Sequence, residues 1–357
     1  MATPMTVGVI GCGRAGTDLH LPTLARIEEA EAVALADPSP EALSAAGDHF
    51  GISRRSSDYR DLLADPSIDV ICVAAPSDLH TEIVLAAIDA GKHVFVEKPL
   101  ALTVSDCDLL VERAAASRVR TIVGFNLRWH RHVRSARQLI RQGALGDPRL
   151  LTSTTASASL VGAMPRWRAD AASGGGLLAM QTIHHLDLWR FLLGQEIEEI
   201  ACTVPAADDP QMGPVAAAIA ATTDGGIEIS TASCSVTGQE NGFAVYGSEA
   251  WLRASLYSFD AVEIMPRGAT PGDIRRHLRR PARFLSGIGA ALPNLRRGGD
   301  FRATYQLEWR HFAEAIRSDG PVECDFEEGR EATRILEAVL EASRTGSTVR
   351  VGEAAAA

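Results

Sequence analysis

Thr6-Val7-Gly8-Val9-Ile10-Gly11-Cys12-Gly13-Arg14-Ala15-Gly16 is the stretch whose reading decides the fold. A short run rich in Val and Ile reads as a buried strand, and the Gly-x-Gly-x-x-Gly that closes it leads into a helical pattern. In that context the three glycines differ in what they permit. Gly11 allows the tight turn, Gly13 lets backbone approach a pyrophosphate, and Gly16 lets helix pack on strand. Arg14 and Ala15 supply the amides of the first helical turn, whose positive end favours an anion. Asp37, in Ala34-Leu35-Ala36-Asp37-Pro38, stands 21 residues beyond Gly16 at the end of a second strand-like run. A carboxylate there accepts hydrogen bonds from ribose hydroxyls and repels a 2′-phosphate. Arg54 and Arg55 come much later, so the expected cofactor is NAD, with NADP the less favoured alternative.

Outward from this loop the chain alternates strands and helices. Strands are expected at Thr6–Ile10, Glu31–Ala36, Asp69–Ala74, His93–Val96 and Thr121–Phe125, and helices at His20–Glu29, Pro40–Phe50, Thr81–Ala90 and Val104–Ser117. Continuous Val, Ile and Ala in the strands predict an α/β domain, a doubly wound parallel sheet of Rossmann type, over residues 1–125. Beyond it, strand-like runs follow one another without helices between them: Arg149–Ser159, Glu198–Val204, Val215–Thr222, Ile227–Val236, Gly242–Tyr246, Ala250–Ser255 and Ala261–Ile264. Helical patterns at Phe301–Ser318 and Phe326–Ser343 close the chain. Residues 126–357 are therefore expected to form an α+β domain with a large, mainly antiparallel open sheet, for substrate binding and oligomerisation.

Composition narrows the function. Hydrophobic residues make up 46% and charged residues 22% of 357, as in ordinary globular proteins, and the formal net charge of −10 argues against nucleic acid as a partner. The cysteines at 12, 72, 107, 202, 234 and 324 have no metal-ligand spacing, so no metal is expected, and they fit reduced thiols. No apolar run approaches the ~18 residues that span a bilayer, and the first residues lack a signal-peptide pattern, so no membrane partner and a cytoplasmic location are expected.

Of the 35 Lys and Arg, only Lys92 and Lys98 are lysines, and Lys98 falls in His93-Val94-Phe95-Val96-Glu97-Lys98-Pro99-Leu100. An ammonium can give up its proton when desolvated or crowded, whereas a guanidinium stays charged. A lysine ending an apolar strand in an arginine-preferring chain is thus a candidate for chemistry, the alternative being a solvated charge at a strand end.

Together the glycine loop, Ala74-Ala75-Pro76-Ser77-Asp78-Leu79-His80, Glu97-Lys98-Pro99, Gly124-Phe125-Asn126 and Gly174-Gly175-Gly176 make the chain resemble the Gfo/Idh/MocA oxidoreductases, the glucose-fructose oxidoreductase and inositol dehydrogenase family. The resemblance implies that Pro76, Ser77 and His80 lie beside the dinucleotide and that Glu97 approaches the nicotinamide ribose. It implies that Lys98 serves cofactor, substrate and proton transfer, and that the open sheet packs against other subunits in a homodimer or homotetramer.

In Leu178-Ala179-Met180-Gln181-Thr182-Ile183-His184-His185-Leu186-Asp187, many relatives have Asp four residues before a His and a second Asp three residues after it. His184 and Asp187 fit, while Met180 replaces the first Asp. Side chains four apart on a helix face the same way, so Met180, Gln181 and His184 are candidate substrate contacts and His184 a candidate base beside Lys98. The bland reading of His184 is a helix histidine satisfied by backbone or Asp187. Trp167 and Arg168 resemble a segment bordering the nicotinamide and substrate, and Asn126 and Arg128 are further candidates for substrate hydroxyls. Seven arginines between 271 and 300 suggest either a cover for an anionic substrate or a solvated contact surface.

The expected activity is NAD(P)-dependent hydride transfer between nicotinamide and a secondary alcohol or ketone of a sugar, glycoside or cyclitol, catalysed by Lys98 and His184. The alternatives are redox-neutral, NAD-assisted elimination or glycoside cleavage, and a non-catalytic dinucleotide-sensing regulator, which the Met180 replacement would favour.

Overall fold

The computed structural model describes residues 3–158, 173–205, 214–268, 287, 289 and 291–352. Two compact units divide the chain: Met1–Asn126 with Thr304–Thr333, and Leu127–Ala303 with Arg334–Ala357. The first unit is therefore discontinuous, whereas the sequence pattern places all residues after 125 in the second.

In the first unit β1 (Met5–Ile10), β2 (Ala30–Ala36), β3 (Arg54–Ser56), β4 (Val70–Val73), β5 (His93–Val96) and β6 (Thr121–Val123) form a sheet in the order β3-β2-β1-β4-β5-β6. Every pairing is parallel, and the strand order reverses between β1 and β4, where ligands bind in open α/β sheets. Strands β4 and β6 are buried at every position, which is why they read as unbroken apolar runs. The helix Pro40–Phe50 starts where Ser39 Oγ accepts the Ala42 amide at 3.2 Å and stops at Gly51, whose φ of 70° is left-handed. Thr103 caps the helix Val104–Ala115 in the same way, accepting the Asp106 amide at 3.1 Å.

Thr304–Thr333 completes this unit. Trp309, on the helix Asp300–Ser318, stacks on Phe95 of β5 with ring centroids 4.5 Å apart, and Phe312 meets the same ring edge-on at 6.1 Å. Cys324 O accepts the Val123 amide of edge strand β6 at 2.9 Å. Gly329 lets the helix Phe326–Thr345 approach: a Cβ there would stand 2.6 Å from Val123 and 3.1 Å from Leu100.

Two elements of the sequence reading change. The segment expected as a helix over His20–Glu29 is a π-helical turn, Ala15–His20, running into a short α-helix, Leu21–Leu24. Strand β3 has no counterpart in the sequence reading, because Arg54-Arg55-Ser56 has no apolar residue; as a charged edge strand it blocks further pairing.

The second unit contains β7 (Pro148–Ser157), β8 (Ile197–Thr203), β9 (Ala216–Thr223), β10 (Glu228–Cys234), β11 (Gln239–Gly247), β12 (Ala250–Ser255), β13 (Glu263–Pro266) and β14 (Val349–Arg350). They run in the order β13-β12-β11-β7-β10-β9-β8-β14, antiparallel except for the parallel β7–β10 pair. On one face the helix Ile183–Leu193 is tied down through hydroxyls: Trp189 Nε1 donates to Thr231 Oγ1 at 3.2 Å and Thr182 Oγ1 to Ser233 Oγ at 3.0 Å. On the other, Ala218, Ala220, Ser230 and Ala232 are exposed.

The helix Arg131–Arg141, also without a counterpart in the sequence reading, packs in this unit by stacked guanidinium groups: Arg137 lies 3.8 Å from the Phe191 ring centroid and Arg134 4.2 Å from that of Trp129. Among the described residues, no helix is long and apolar enough to cross a membrane.

Candidate active site

In the first unit the candidate residues gather at the carboxyl ends of β1, β2, β4, β5 and β6. Gly11 has φ of 100°, and a Cβ there would meet the Ala74 carbonyl at 2.5 Å; at Gly16 it would collide with the Gly11 carbonyl oxygen. Nothing lies within 4 Å of a Cβ built on Gly13, and Gly13 and Arg14 are exposed. The loop thus leaves an open cradle that a side chain would fill, which fits the pyrophosphate of a dinucleotide.

Asp37 shapes that loop as well as facing it. One carboxylate oxygen accepts the Cys12 amide at 2.7 Å and the other the Ser39 amide at 2.9 Å, leaving a lone pair on each for ribose hydroxyls. Arg55 donates to Ile52 O at 2.7 Å and to Asp48 at 2.7 Å, and Arg54 pairs with Asp65. Both arginines after Asp37 are thereby committed elsewhere. Burial, then the Asp37 charge, push the Cys12 thiol up to about 12, so it remains protonated at neutral pH.

Pro76 and Ser77 open the single turn Ser77–Leu79 after β4. His80 is fully buried, with Nδ1 2.8 Å from Pro99 O and Nε2 3.1 Å from Ala75 O. This imidazole ties the loop after β4 to the loop after β5, so its side chain holds the two loops in place. Lys98 follows β5, half-buried. Beside it Glu97 is only 8% exposed, with Oε1 3.0 Å from His20 Nε2 and Oε2 accepting the Lys98 amide at 3.3 Å. Burial raises the Glu97 pKa, but the His20 contact, the Lys98 charge and the Lys98 amide outweigh it, and the net direction is down. The carboxylate is ionised. Gly124 leaves room for it, since a Cβ there would stand 3.3 Å from the Glu97 carboxyl carbon.

Asn126, expected at the substrate, is buried and its Nδ2 donates to Thr304 Oγ1 at 2.9 Å.

In the second unit, Gly174 and Gly176 have φ of 77° and 82°, and a second π-helical turn, Leu178–Thr182, carries Met180 and Gln181. Gln181 Nε2 donates to Thr155 Oγ1 at 3.2 Å. Met180, Gln181 and His184 are all half-buried. His185 is buried and bonds Asn241 Oδ1 through Nε2 at 3.0 Å. Arg128 and Asp187 correct the sequence reading, because the guanidinium is engaged by the carboxylate inside this unit, away from solvent. Neither can meet a substrate hydroxyl without breaking that pair. Trp167, Arg168 and most of the 271–300 arginine segment lie outside the described residues.

Two buried residues escaped the sequence reading. His20 holds Glu97, and Trp309 Nε1 donates to His20 Nδ1 at 3.1 Å. A single His inside Leu19-His20-Leu21-Pro22 is a visible signal, but nothing local ties it to Trp309.

Strand order, glycine loop and acid define the first unit as a dinucleotide-binding unit of Rossmann type. The oxidoreductase family with an NAD-binding Rossmann fold matches residues 5–125, and the GFO/IDH/MocA C-terminal domain matches residues 133–253. This chain belongs to the Gfo/Idh/MocA oxidoreductase family. It is 26% identical over 353 residues, 98% of each chain, to an uncharacterized oxidoreductase of Bacillus subtilis. It is 33% identical over 209 residues to the myo-inositol 2-dehydrogenase of Thermotoga maritima, covering 58% of this chain and 61% of that one. Among solved structures, the WlbA dehydrogenase of Bordetella pertussis, in complex with NADH and UDP-GlcNAcA, superposes with a TM-score of 0.82 at 22% identity over 99% of both chains. At that identity the likeness is one of fold.

Proposed function

We propose that this protein is an NAD-dependent dehydrogenase acting on a secondary alcohol of a sugar, glycoside or cyclitol. The observation that carries the reading is the half-buried Lys98 beside an ionised, buried Glu97 at the carboxyl end of β5, in the unit that bears the glycine cradle and Asp37. Relatives named inositol 2-dehydrogenase and levoglucosan dehydrogenase support the substrate class.

Gly11, Gly13, Arg14, Ala15 and Gly16 would hold the pyrophosphate, Asp37 the adenosine ribose, and Pro76, Ser77 and Glu97 the nicotinamide end, with His80 fixing their loops. Bound nicotinamide would supply the acceptor for the hydride leaving the carbinol carbon. Lys98 binds the substrate oxygen and stabilises negative charge developing on it, and His184 takes the hydroxyl proton. Met180 and Gln181 line the substrate, Met180 giving it an apolar contact where many relatives offer a carboxylate. Asp37, with no uncommitted arginine after it, favours NAD over NADP.

A screen of sugars, cyclitols and glycosides with NAD and NADP, following absorbance of the reduced nicotinamide, tests this. Reduction of NAD by a member of these classes is expected; absence of binding to either cofactor at millimolar concentration would overturn the reading. Turnover with no net NADH would point to redox-neutral chemistry instead. We further propose a homo-oligomer formed through the exposed sheet face bearing Ala218, Ala220, Ser230 and Ala232, on the family resemblance.

A further inference from the structure

His20 is completely buried, 77 residues in sequence from Glu97 and 289 from Trp309, yet it touches both. Its ring meets Phe95, Tyr305 and Trp309 edge-on, with centroids 5.0, 5.9 and 6.0 Å away. An indole nitrogen can only donate. Nδ1 of His20 must therefore offer a lone pair to Trp309, which leaves the single proton of a neutral ring on Nε2, directed at Glu97 Oε1. A doubly protonated ring would set N–H against N–H at Trp309.

We propose that His20 is a positioning residue: the Trp309 indole locks it as a neutral imidazole in one tautomer, and its Nε2 proton fixes the Glu97 carboxylate beside Lys98. The role in catalysis rests on the dehydrogenase reading above; the lock itself does not. The groups around the pair come from several elements. Cys72 of β4 and Glu97 favour a charged ring and burial opposes it, while Tyr305, Arg14 and Lys98 share the surroundings of Glu97, and the buried Glu308 lies near Tyr305. The indole hydrogen decides the balance at His20 because it occupies the site where the second proton would go. With one oxygen held by His20 and the other by the Lys98 amide, Glu97 has no freedom to turn, so its charge keeps one place relative to the lysine next to it.

Nuclear magnetic resonance on protein labelled with ¹⁵N histidine and ¹³C glutamate reads the lock without substrate or cofactor. The expected result is a His20 signal of the Nε2–H tautomer that does not titrate between pH 5 and 9, on the scale where free histidine titrates near 6.5, and a Glu97 carboxyl signal that stays ionised. Trp309→Phe frees Nδ1, so His20 then titrates or exchanges tautomers. His20→Gln can donate to Glu97 and accept from Trp309, whereas His20→Leu can do neither. His20→Leu should raise the Glu97 pKa and lower kcat on the order of a hundredfold, the scale of a small misplacement at a reacting centre. His20→Gln should recover most of that loss. A Nδ1–H tautomer or a charged ring in the wild-type protein, or equal behaviour of the Gln and Leu variants at Glu97, overturns the proposal. Failure of the dehydrogenase reading would show separately, as wild-type protein that binds no NAD while the His20 and Glu97 signals remain as described.

Discussion

Arg128 and Asp187 close on one another inside the second unit: Arg128 Nε donates to the two carboxylate oxygens at 3.0 and 2.9 Å, and the side chains are 2% and 1% exposed. Removing one partner leaves a charge buried without its counterpart, at a cost of about 3–5 kcal/mol. Arg128→Leu or Asp187→Leu should therefore each lower the urea midpoint strongly. The double variant should recover a substantial part, because two apolar groups demand no ion partner. If the double variant were as unstable as the sum of the singles, the pair would carry no coupling.

Asp37→Ser keeps an acceptor for the Cys12 amide but removes the charge that opposes a 2′-phosphate. We expect the NAD-to-NADP preference to fall by on the order of tenfold, the scale of one charge-assisted hydrogen bond of about 1.5 kcal/mol. Titrating both cofactors by intrinsic fluorescence checks it, and an unchanged ratio would place the discrimination elsewhere.

Lys98→Ala should lower kcat by about 10²- to 10⁴-fold, the range for a lost proton-handling group, while NAD still binds. Lys98→Arg should rescue little, because a guanidinium keeps its charge and its proton. A variant with full turnover would remove Lys98 from the chemistry, and one that bound no NAD would assign it to the cofactor instead.

Burial pushes the His185 pKa down to about 4 from the ordinary 6.5, against the raising effect of its bond to Asn241. Above pH 6.5 both folded and unfolded chains carry the neutral ring, and the site makes no difference to stability. As pH falls below 6.5 the unfolded chain takes up the proton first, so stability declines until the folded ring also protonates near 4. The full penalty is about 3 kcal/mol. His185→Gln, which can still donate to Asn241, should flatten that decline; denaturant curves at about pH 7.5 and about pH 4.5, on either side of the window, provide the measurement. Identical declines in both proteins would refute it.

On the open sheet face, Ala220→Arg introduces a charge into a surface of small residues. If that face joins subunits, mass measured by light scattering should fall to that of one chain with little change in Tm, since the position is exposed within its own unit. An unchanged mass would direct the search for the interface to other surfaces.

How legible this was in the sequence depended on what each residue packs against. Strand β5 and the helices Pro40–Phe50 and Val104–Ala115 match expectation within a few residues, because a Val-rich run, a Ser-Pro cap, a Thr cap and a terminal glycine are local signals. The helix Arg131–Arg141 does not, because the groups it lays on Phe191 and Trp129 are arginines, which hydrophobic periodicity counts as polar. The glycine loop, Asp37, Glu97 and Lys98 are read from spacing and resemblance, and the structure gathers them at the ends of neighbouring strands. Asn126 and Arg128 read as available polar groups, and only the fold reveals Thr304 and Asp187 as their partners. Periodicity also cannot see the π-helical turns at Ala15–His20 and Leu178–Thr182, where one extra residue per turn shifts each later side chain.

Trp309, Phe312 and Cys324 have a bearing on how the protein is made. The sheet that begins at Met5 is finished by residues near the other end of the chain, so a nascent polypeptide leaving the ribosome cannot close its dinucleotide-binding half until synthesis is almost over. A gene fragment ending at Asn126 would encode every strand of that sheet and still release a product with Phe95 uncovered and His20 lacking its indole. The two ends of the reading frame are thereby bound to one another, and premature termination anywhere before Trp309 removes the cofactor half as surely as it removes the tail.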